Sequence, residues 1–445
     1  MSWTAFTGRG LALCLMLCSM TAPAAPPKTP APAPRPAAKA PVAPRPAAAP
    51  NSPAPVLRTF HSQHYTLHTD FEPGFAQDVA RRMDAMYDEY SRRLDSLKPV
   101  AMPQRHELYL FARQSDYVRF VGAAFGSTGG AYIPGRNVIA SFLEKQGHDA
   151  VRRTLQHEAF HQFAEQTFAG NLPIWLNEGM AQYFEEGLWT EAGFLLGQVS
   201  PHRLRQLQSD IKAGRLTPFD RFTTLSAEEW SGALSTRGQT RGMTQYNQAW
   251  AMVYFLINAS DEAGQPLYRA RFLRMLQLLR DGAKPQAALE QCFSANYEGF
   301  QKHFVAFASR VQASPEASYI ERQEVLADML IAARERNWAA NDLAELQSTV
   351  AARKVSINYS RGQIHWTSDP DTSIYFRALD GSRFHTSELY LSPRRGAPLP
   401  DIVCHYSPAL LLRTRFYRYG EKTYHDTQLE PPPAPPLLAS PRRGQ

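Results

Sequence analysis

The sequence predicts an α+β fold built in more than one unit, and three observations carry that expectation. From Leu57 to about residue 150, apolar periods of two and of 3.6 residues alternate. From there to about Lys354 the pattern is helical, and from Val355 to Leu429 short strands return between Gly, Pro, Asp and Ser turns. Of the 445 residues, 44% are apolar and 20% charged, enough apolar content for more than one core and against a disordered or fibrous chain.

The first segment, residues 1–24, reads as a signal peptide. One charge at Arg9 precedes the apolar run Gly10 to Met20, which is too short to cross a bilayer, and Ala22-x-Ala24 supplies small residues for cleavage. The expected location is therefore exported, periplasmic or secreted. Residues 25–56 are nearly all Pro and Ala with scattered Lys and Arg, which favours an extended polyproline II spacer. A passive linker and a contact with the cell envelope through its basic residues both fit. Residues 431–445 are a similar Pro-rich tail, expected to be disordered. The net charge of +7 resides in these ends: seven of the 48 basic residues lie there, and the rest of the chain balances its 41 acidic residues. Net charge thus gives no reason to expect a nucleic-acid partner. No later stretch is apolar enough for a transmembrane segment in the mature chain.

Residues 57–312 are expected to form the main domain. Strands are expected at HYTLHTDF and HELYLFARQ, an amphipathic helix between them at FAQDVARRMDAMYDEYSRRLDSL, a short helix near SDYVRFVGAAF, and strands in GGAYIPGRNVIASFL. Helices follow at VRRTLQHEAFHQFAEQTF and WLNEGMAQYFEEG, and around 202–212, 245–258, 266–280 and 293–312. Residues 313–354 read as a helical connector. Residues 355–430 read as a small all-β, sandwich-like module with strands at VSINYS, QIHWTS, SIYFRAL, ELYLS, DIVCHYS and ALLLRTRFYRYG. Its aromatics, Trp366, Tyr375, Tyr390 and Phe416 among them, suit the core of such a module. Cys292 and Cys404 are the cysteines left after removal of the leader, and the sequence leaves open a disulfide or two free thiols.

The chemical signal lies between His157 and Glu186. His157-Glu158-Ala159-Phe160-His161 is an HExxH pattern, and on a helix positions i and i+4 share a face, so both imidazoles can bind one ion. Glu158 can then reach a water on the open side of the ion and act as general base. Asp149 is placed to cap this helix, and Gly170 and Pro173 to end it. A catalytic zinc takes three protein ligands and an open position. Glu178, which opens a second helix after a tight turn, is the natural third ligand. His61, His64 and His68 resemble a second cluster, but they flank a period-two strand on which only His64 and His68 share a face, so edge-strand histidines are the expectation.

The combination of HExxH with Asn177-Glu178-Gly179-x-Ala181-x-Tyr183-x-Glu185 resembles the gluzincin metallopeptidases, most closely a poorly characterised, exported bacterial branch, over roughly His64 to Ser309. The resemblance implies a zincin-like domain with a small N-terminal sheet and helical active-site and C-terminal subdomains, one Zn2+, and a peptide or protein substrate. It implies His157, His161 and Glu178 as ligands and Glu158 as base, with Tyr246 in QYNQAWAMVYFL as candidate donor to the oxyanion. A tyrosine on an apolar helix also suits a core position. The chain departs from the pattern in three ways. The turn between the ligand helices is shorter than in the thermolysin and aminopeptidase branches. Gln182 stands where thermolysin-like members carry a carboxylate that orients a ligand histidine, leaving Gln182 or Glu185 for that role. The aminopeptidase GAMEN motif is absent, and GGAYIPGRN occupies the comparable edge-strand region. Two further readings stay open: a zinc-stabilised binding or scaffold module at the envelope, and a zinc hydrolase of another amide or ester.

Overall fold

The computed structural model describes residues 54–94, 97, 105–233, 239–361, 364–408 and 411–431. The expected leader, nearly all of the Pro/Ala segment and nearly all of the C-terminal tail lie outside them. Strands β1 (Arg58–His61) and β2 (Tyr65–Thr69), helix α1 (Pro73–Arg93), β3 (His106–Phe111), α2 (Gln114–Val121), β4 (Gly130–Ile133) and β5 (Val138–Phe142) form the N-terminal part. The sheet order is β1-β2-β3-β5-β4, with β2, β3 and β5 parallel and both outer strands antiparallel to their neighbours. Parallel strands bury both faces, and the alternation obeys this. Leu108, Leu110 and Ile139 point to α1 and the main core, while Phe111, Ala140 and Phe142 point to a smaller cluster with Tyr117 of α2.

Helix α3 (His148–Phe168) packs on the same face of the sheet as α1, and a tight turn leads to α4 (Ile174–Glu185). Gly147 is the N-cap of α3 and Asp149 sits in its first turn, so the expected Asp149 cap is not formed. The helix ends on Ala169 and Gly170, both at positive φ (48° and 76°), and Pro173 precedes α4. A short hairpin, β6 (Leu188–Thr190) and β7 (Gly193–Leu195), leads into α5 (Pro201–Lys212), α6 (Phe219–Phe222), α7 (Ala227–Gly232) and the long α8 (Gln239–Asn258). Helices α9 (Arg269–Arg280), α10 (Pro285–Phe293) and α11 (Tyr297–Ala308) complete this part. The helix expected over 293–312 starts only at Tyr297: Ser294 turns the chain at φ 86° and Asn296 caps α11.

Beyond this the structure differs from the expected β sandwich. Helices α12 (Pro315–Glu335) and α13 (Leu343–Ala352) are followed by the hairpin β8 (Asn358–Arg361) and β9 (Ile364–Thr367). One antiparallel sheet follows, β10 (Leu389–Ser392), β11 (Asp401–Cys404), β12 (Leu411–Tyr419) and β13 (Lys422–Glu430), in sequential order. Ile402, Leu412, Phe416 and Leu429 share one core with Val325, Leu330, Leu346 and Val350, so the expected connector is half of this unit. The apolar residues of α12 run right round it (Val325, Leu326, Ala327, Met329), the mark of a helix buried on more than one side. The run SIYFRAL is also not a strand. Asp371 caps a 3-10 turn, Thr372–Phe376, that buries Tyr375 and Phe376. Trp366 stacks on His202 of α5 (4.6 Å between ring centroids), an internal position. Cys292 and Cys404 are free thiols, and burial pushes Cys404 up to about 12. Among the described residues no helix is long and apolar enough to cross a membrane.

The C-terminal unit packs on the start of α3. His148 lies between the rings of Phe75 and Tyr417 (4.0 and 4.1 Å), and its backbone N–H donates to Tyr417 Oη (2.8 Å). Arg152 reaches both oxygens of Asp426 on β13 (2.9 Å each) and Asp78 on α1 (2.7 Å).

Candidate metal centre

Helix α3 presents His157 and His161 to Glu178 of α4 and Glu158 to Tyr132 of β4, and all four side chains on the helices are buried. One ligand atom from each of His157, His161 and Glu178 lies within 4.8 Å of the other two. His157 Nε2 is 3.5 Å from Glu178 Oε2, and His161 Nε2 is 3.8 Å from Glu178 Oε1. The close approach of α4 to its neighbours depends on Gly179, beside the carboxylate. A Cβ there would stand 2.5 Å from the carbonyl oxygen of Ala249 on α8, so only glycine lets the two backbones meet.

Both imidazoles are held from behind. His157 Nδ1 donates to Glu185 Oε2 (3.0 Å), and His161 Nδ1 donates to Asn177 Oδ1 (3.1 Å). With Nδ1 donating, the neutral ring keeps its lone pair on Nε2, and both Nε2 atoms turn toward Glu178. His157 Nε2, His161 Nε2 and both oxygens of Glu178 are buried without a hydrogen-bond partner. Four orphaned polar atoms at one point would be costly in a finished core. They have the chemistry of a donor set for a cation, and the buried group could hold a metal ion.

The charge balance points the same way. Burial disfavours a charged His157, yet the carboxylates of Glu178 and Glu185 outweigh it and raise its pKa to about 10. Positive charge is thus favoured between these two carboxylates. Burial takes His161 down to about 4. Glu158 projects one oxygen to the backbone N–H of Tyr132 (2.7 Å), while Oε1 is buried and unpaired. Burial raises its carboxyl to about 7.

A family described as "Protein of unknown function (DUF1570)" matches residues 152–271, from the first turns of α3 to the start of α9. The matched stretch contains both histidines, Glu158, Glu178 and Tyr246. No curated protein matches this chain.

The other expected site residues fall in different places. Glu185 holds His157, whereas the Oε1 of Gln182 turns away and accepts from Arg203 Nη1 (2.7 Å). Glu185 and Glu186 are buried rather than a solvated helix end. Arg203 of α5 bonds Glu186 through Nε, and Ser200 donates to the other oxygen of Glu186. Tyr246 is half-buried on α8, with its ring edge-on to Trp230 at 5.1 Å between centroids. Of the histidines expected on an edge strand only His61 lies on one, β1; His64 precedes β2 and pairs with Asp88 of α1, and His68 lies on β2, inside the sheet, and pairs with Glu107 of β3. Sequence reasoning missed three contributors: the Tyr132 N–H on Glu158, Asn177 behind His161, and Arg203 behind Glu185. Only Asn177, adjacent to Glu178 in the motif, left a local signal.

A cavity of about 330 Å³ opens beside His161, bounded by Tyr132 on β4, Asn177 on α4 and Leu225 before α7. The edge strand β4 therefore borders both the base and the cavity.

Proposed function

We propose that this protein is an exported, zinc-dependent metallopeptidase in which His157, His161 and Glu178 hold one zinc ion and Glu158 is the general base. The observation that carries the reading is the convergence of three ligand side chains with orphaned atoms, His157, His161 and Glu178, on one point, with a fourth side chain, Glu158, whose Oε1 is also buried and unpaired. When bound, zinc supplies a Lewis acid that polarises a carbonyl and makes water a nucleophile near neutral pH. The chain's own residues do the rest. Tyr132 N–H fixes one oxygen of Glu158, leaving the other to take a proton from the attacking water and return it to the leaving amine. Glu185 and Asn177 fix the ring orientations. The choice of a peptide substrate is supported by β4, an edge strand in the sheet order, along which an extended chain can pair through main-chain hydrogen bonds. The hydroxyl of Tyr246 is not needed for this outline. Export is supported by the leader-like N-terminus.

The test joins metal analysis to turnover. The dialysed protein is expected to carry one zinc per chain, His161→Ala to lose it, and Glu158→Gln to keep it while losing peptide cleavage. Cleavage surviving in Glu158→Gln removes the mechanism. Zinc binding with no hydrolysis of any peptide favours a binding module, and hydrolysis confined to other amides or esters changes the substrate class.

A further inference from the structure

Helix α3 continues past the metal ligands. One turn beyond His161, about 6 Å along the axis, Glu165 stands on the same face at the wall of the cavity beside His161. Leu172, Ile174 and Leu225 give the cavity apolar walls, and His161 and Asn177 are among its other polar lining residues. No lysine or arginine is among the residues that line it, and no ion pair neutralises the exposed Glu165 among the described residues. The cavity of about 330 Å³ is in the range of a site for one long side chain.

An open cavity with apolar walls and an exposed carboxylate among its lining residues is complementary to one kind of side chain. Lysine and arginine lay their methylene stems on apolar surface and keep the charged head in water. A purely apolar side chain would cover the walls but leave the charge of Glu165 without a partner. An acidic one would be repelled. We propose that this cavity selects a lysine or arginine next to the scissile bond, and that Glu165 is the residue that reads its charge. The inference rests on the peptidase reading, and names the substrate class within it.

Binding tests this apart from turnover. The probe is a set of fluorescein-labelled alanine hexapeptides carrying a single lysine, norleucine or glutamate at each of the four central positions. They are titrated by anisotropy into zinc-loaded, full-length Glu158→Gln protein, with the norleucine peptides as the reference for each variant. At low salt the best lysine peptide is expected to bind about two- to fivefold more tightly than its norleucine partner, the range for a solvent-accessible ion pair. That ratio should fall toward one in 1 M NaCl. It should disappear in Glu158→Gln/Glu165→Gln and invert in favour of glutamate peptides in Glu158→Gln/Glu165→Lys. Equal binding of lysine and norleucine peptides, or a lysine preference that survives Glu165→Gln, overturns this inference and leaves the peptidase reading standing. Failure of every hexapeptide to bind overturns both.

Discussion

Glu185 reaches back across the α3–α4 hairpin to accept a hydrogen bond from Nδ1 of His157 at 3.0 Å, seven residues after the carboxylate of Glu178 that faces the same ring from its other side. One helix therefore supplies both the candidate ligand and the support of a ligand on the neighbouring helix. Arg203 secures the arrangement, since it contacts Gln182 and Glu185 on the last turn of α4 and Glu186, its C-cap.

This support should be measurable as metal affinity. A carboxylate behind a ligand histidine fixes its tautomer and raises its basicity, and removal of such a partner costs about 10- to 100-fold in affinity. Glu185→Ala is expected to weaken zinc binding in that range, read by competition with a chromophoric chelator. Gln182→Ala should act less, because its amide contacts Arg203 and not the imidazole. Equal losses in the two variants would mean that the Glu185 contact does not orient His157.

Gly179 sets the distance between α4 and α8. Its replacement by alanine puts a methyl group 2.5 Å from the Ala249 carbonyl oxygen and 2.8 Å from Val253 Cγ2. Overpacking of this kind costs about 1–3 kcal/mol. Gly179→Ala is expected to lower the unfolding free energy by that amount, seen as a lower denaturant midpoint, and to weaken zinc binding by displacing the adjacent Glu178. An unchanged midpoint would show that the helices separate without cost.

The ligand hairpin was legible in the sequence because everything that defines it is local. The spacing of His157 and His161, the breakers at Gly170 and Pro173, and the restart at Asn177-Glu178 lie within one stretch of chain. The alternating N-terminal strands were legible for the same reason, since each carries its own period. What was not legible depends on distant partners. Nothing in GGAYIPGRN marks the Tyr132 N–H as the anchor of Glu158, and nothing local marks Arg203 as the clamp on α4. The C-terminal unit is not an all-β module because its strands share one core with the two helices before them, a partnership that no local period in the strands displays. The apolar residues all round α12 were the available sign that this helix belongs to a core. Asp149 offered a plausible cap, but Gly147 at φ 87° starts the helix earlier.

Two buried histidines predict how stability responds to pH. Burial lowers both His106 and His148 to about 4, against about 6.5 in an unfolded chain. Each folded value is depressed, so the contribution is fully present above about pH 6.5 and is lost as pH falls toward 4. His425 has the opposite sign, because Asp328 outweighs burial and raises it. His148→Phe keeps the stack between Phe75 and Tyr417 and removes one of the depressed groups. Between pH 7 and pH 5, the wild type is expected to lose about 1–2 kcal/mol more than this variant. Parallel stability profiles from urea melts would show that His148 protonates freely in the folded protein.

The last prediction concerns the joint between the two units, five residues before His157 on the same helix. Arg152 is buried between Asp426 and Asp78, and Arg82 shares Asp78 (2.9 Å). Despite burial, Arg152 holds the Asp426 carboxyl well below the usual carboxylate range. Asp426→Asn would leave two buried guanidinium groups facing one carboxylate, and breaking a buried pair on one side costs on the order of 3 kcal/mol. The pair itself is not a large net gain, since both charges are taken out of water. The double variant Arg152→Met/Asp426→Leu should therefore recover much of that loss, and a double-mutant cycle in urea gives the coupling. A single variant as stable as the wild type would mean that Asp78 alone satisfies Arg152, leaving the aromatic stack of His148 on Tyr417 to hold the C-terminal sheet on α3.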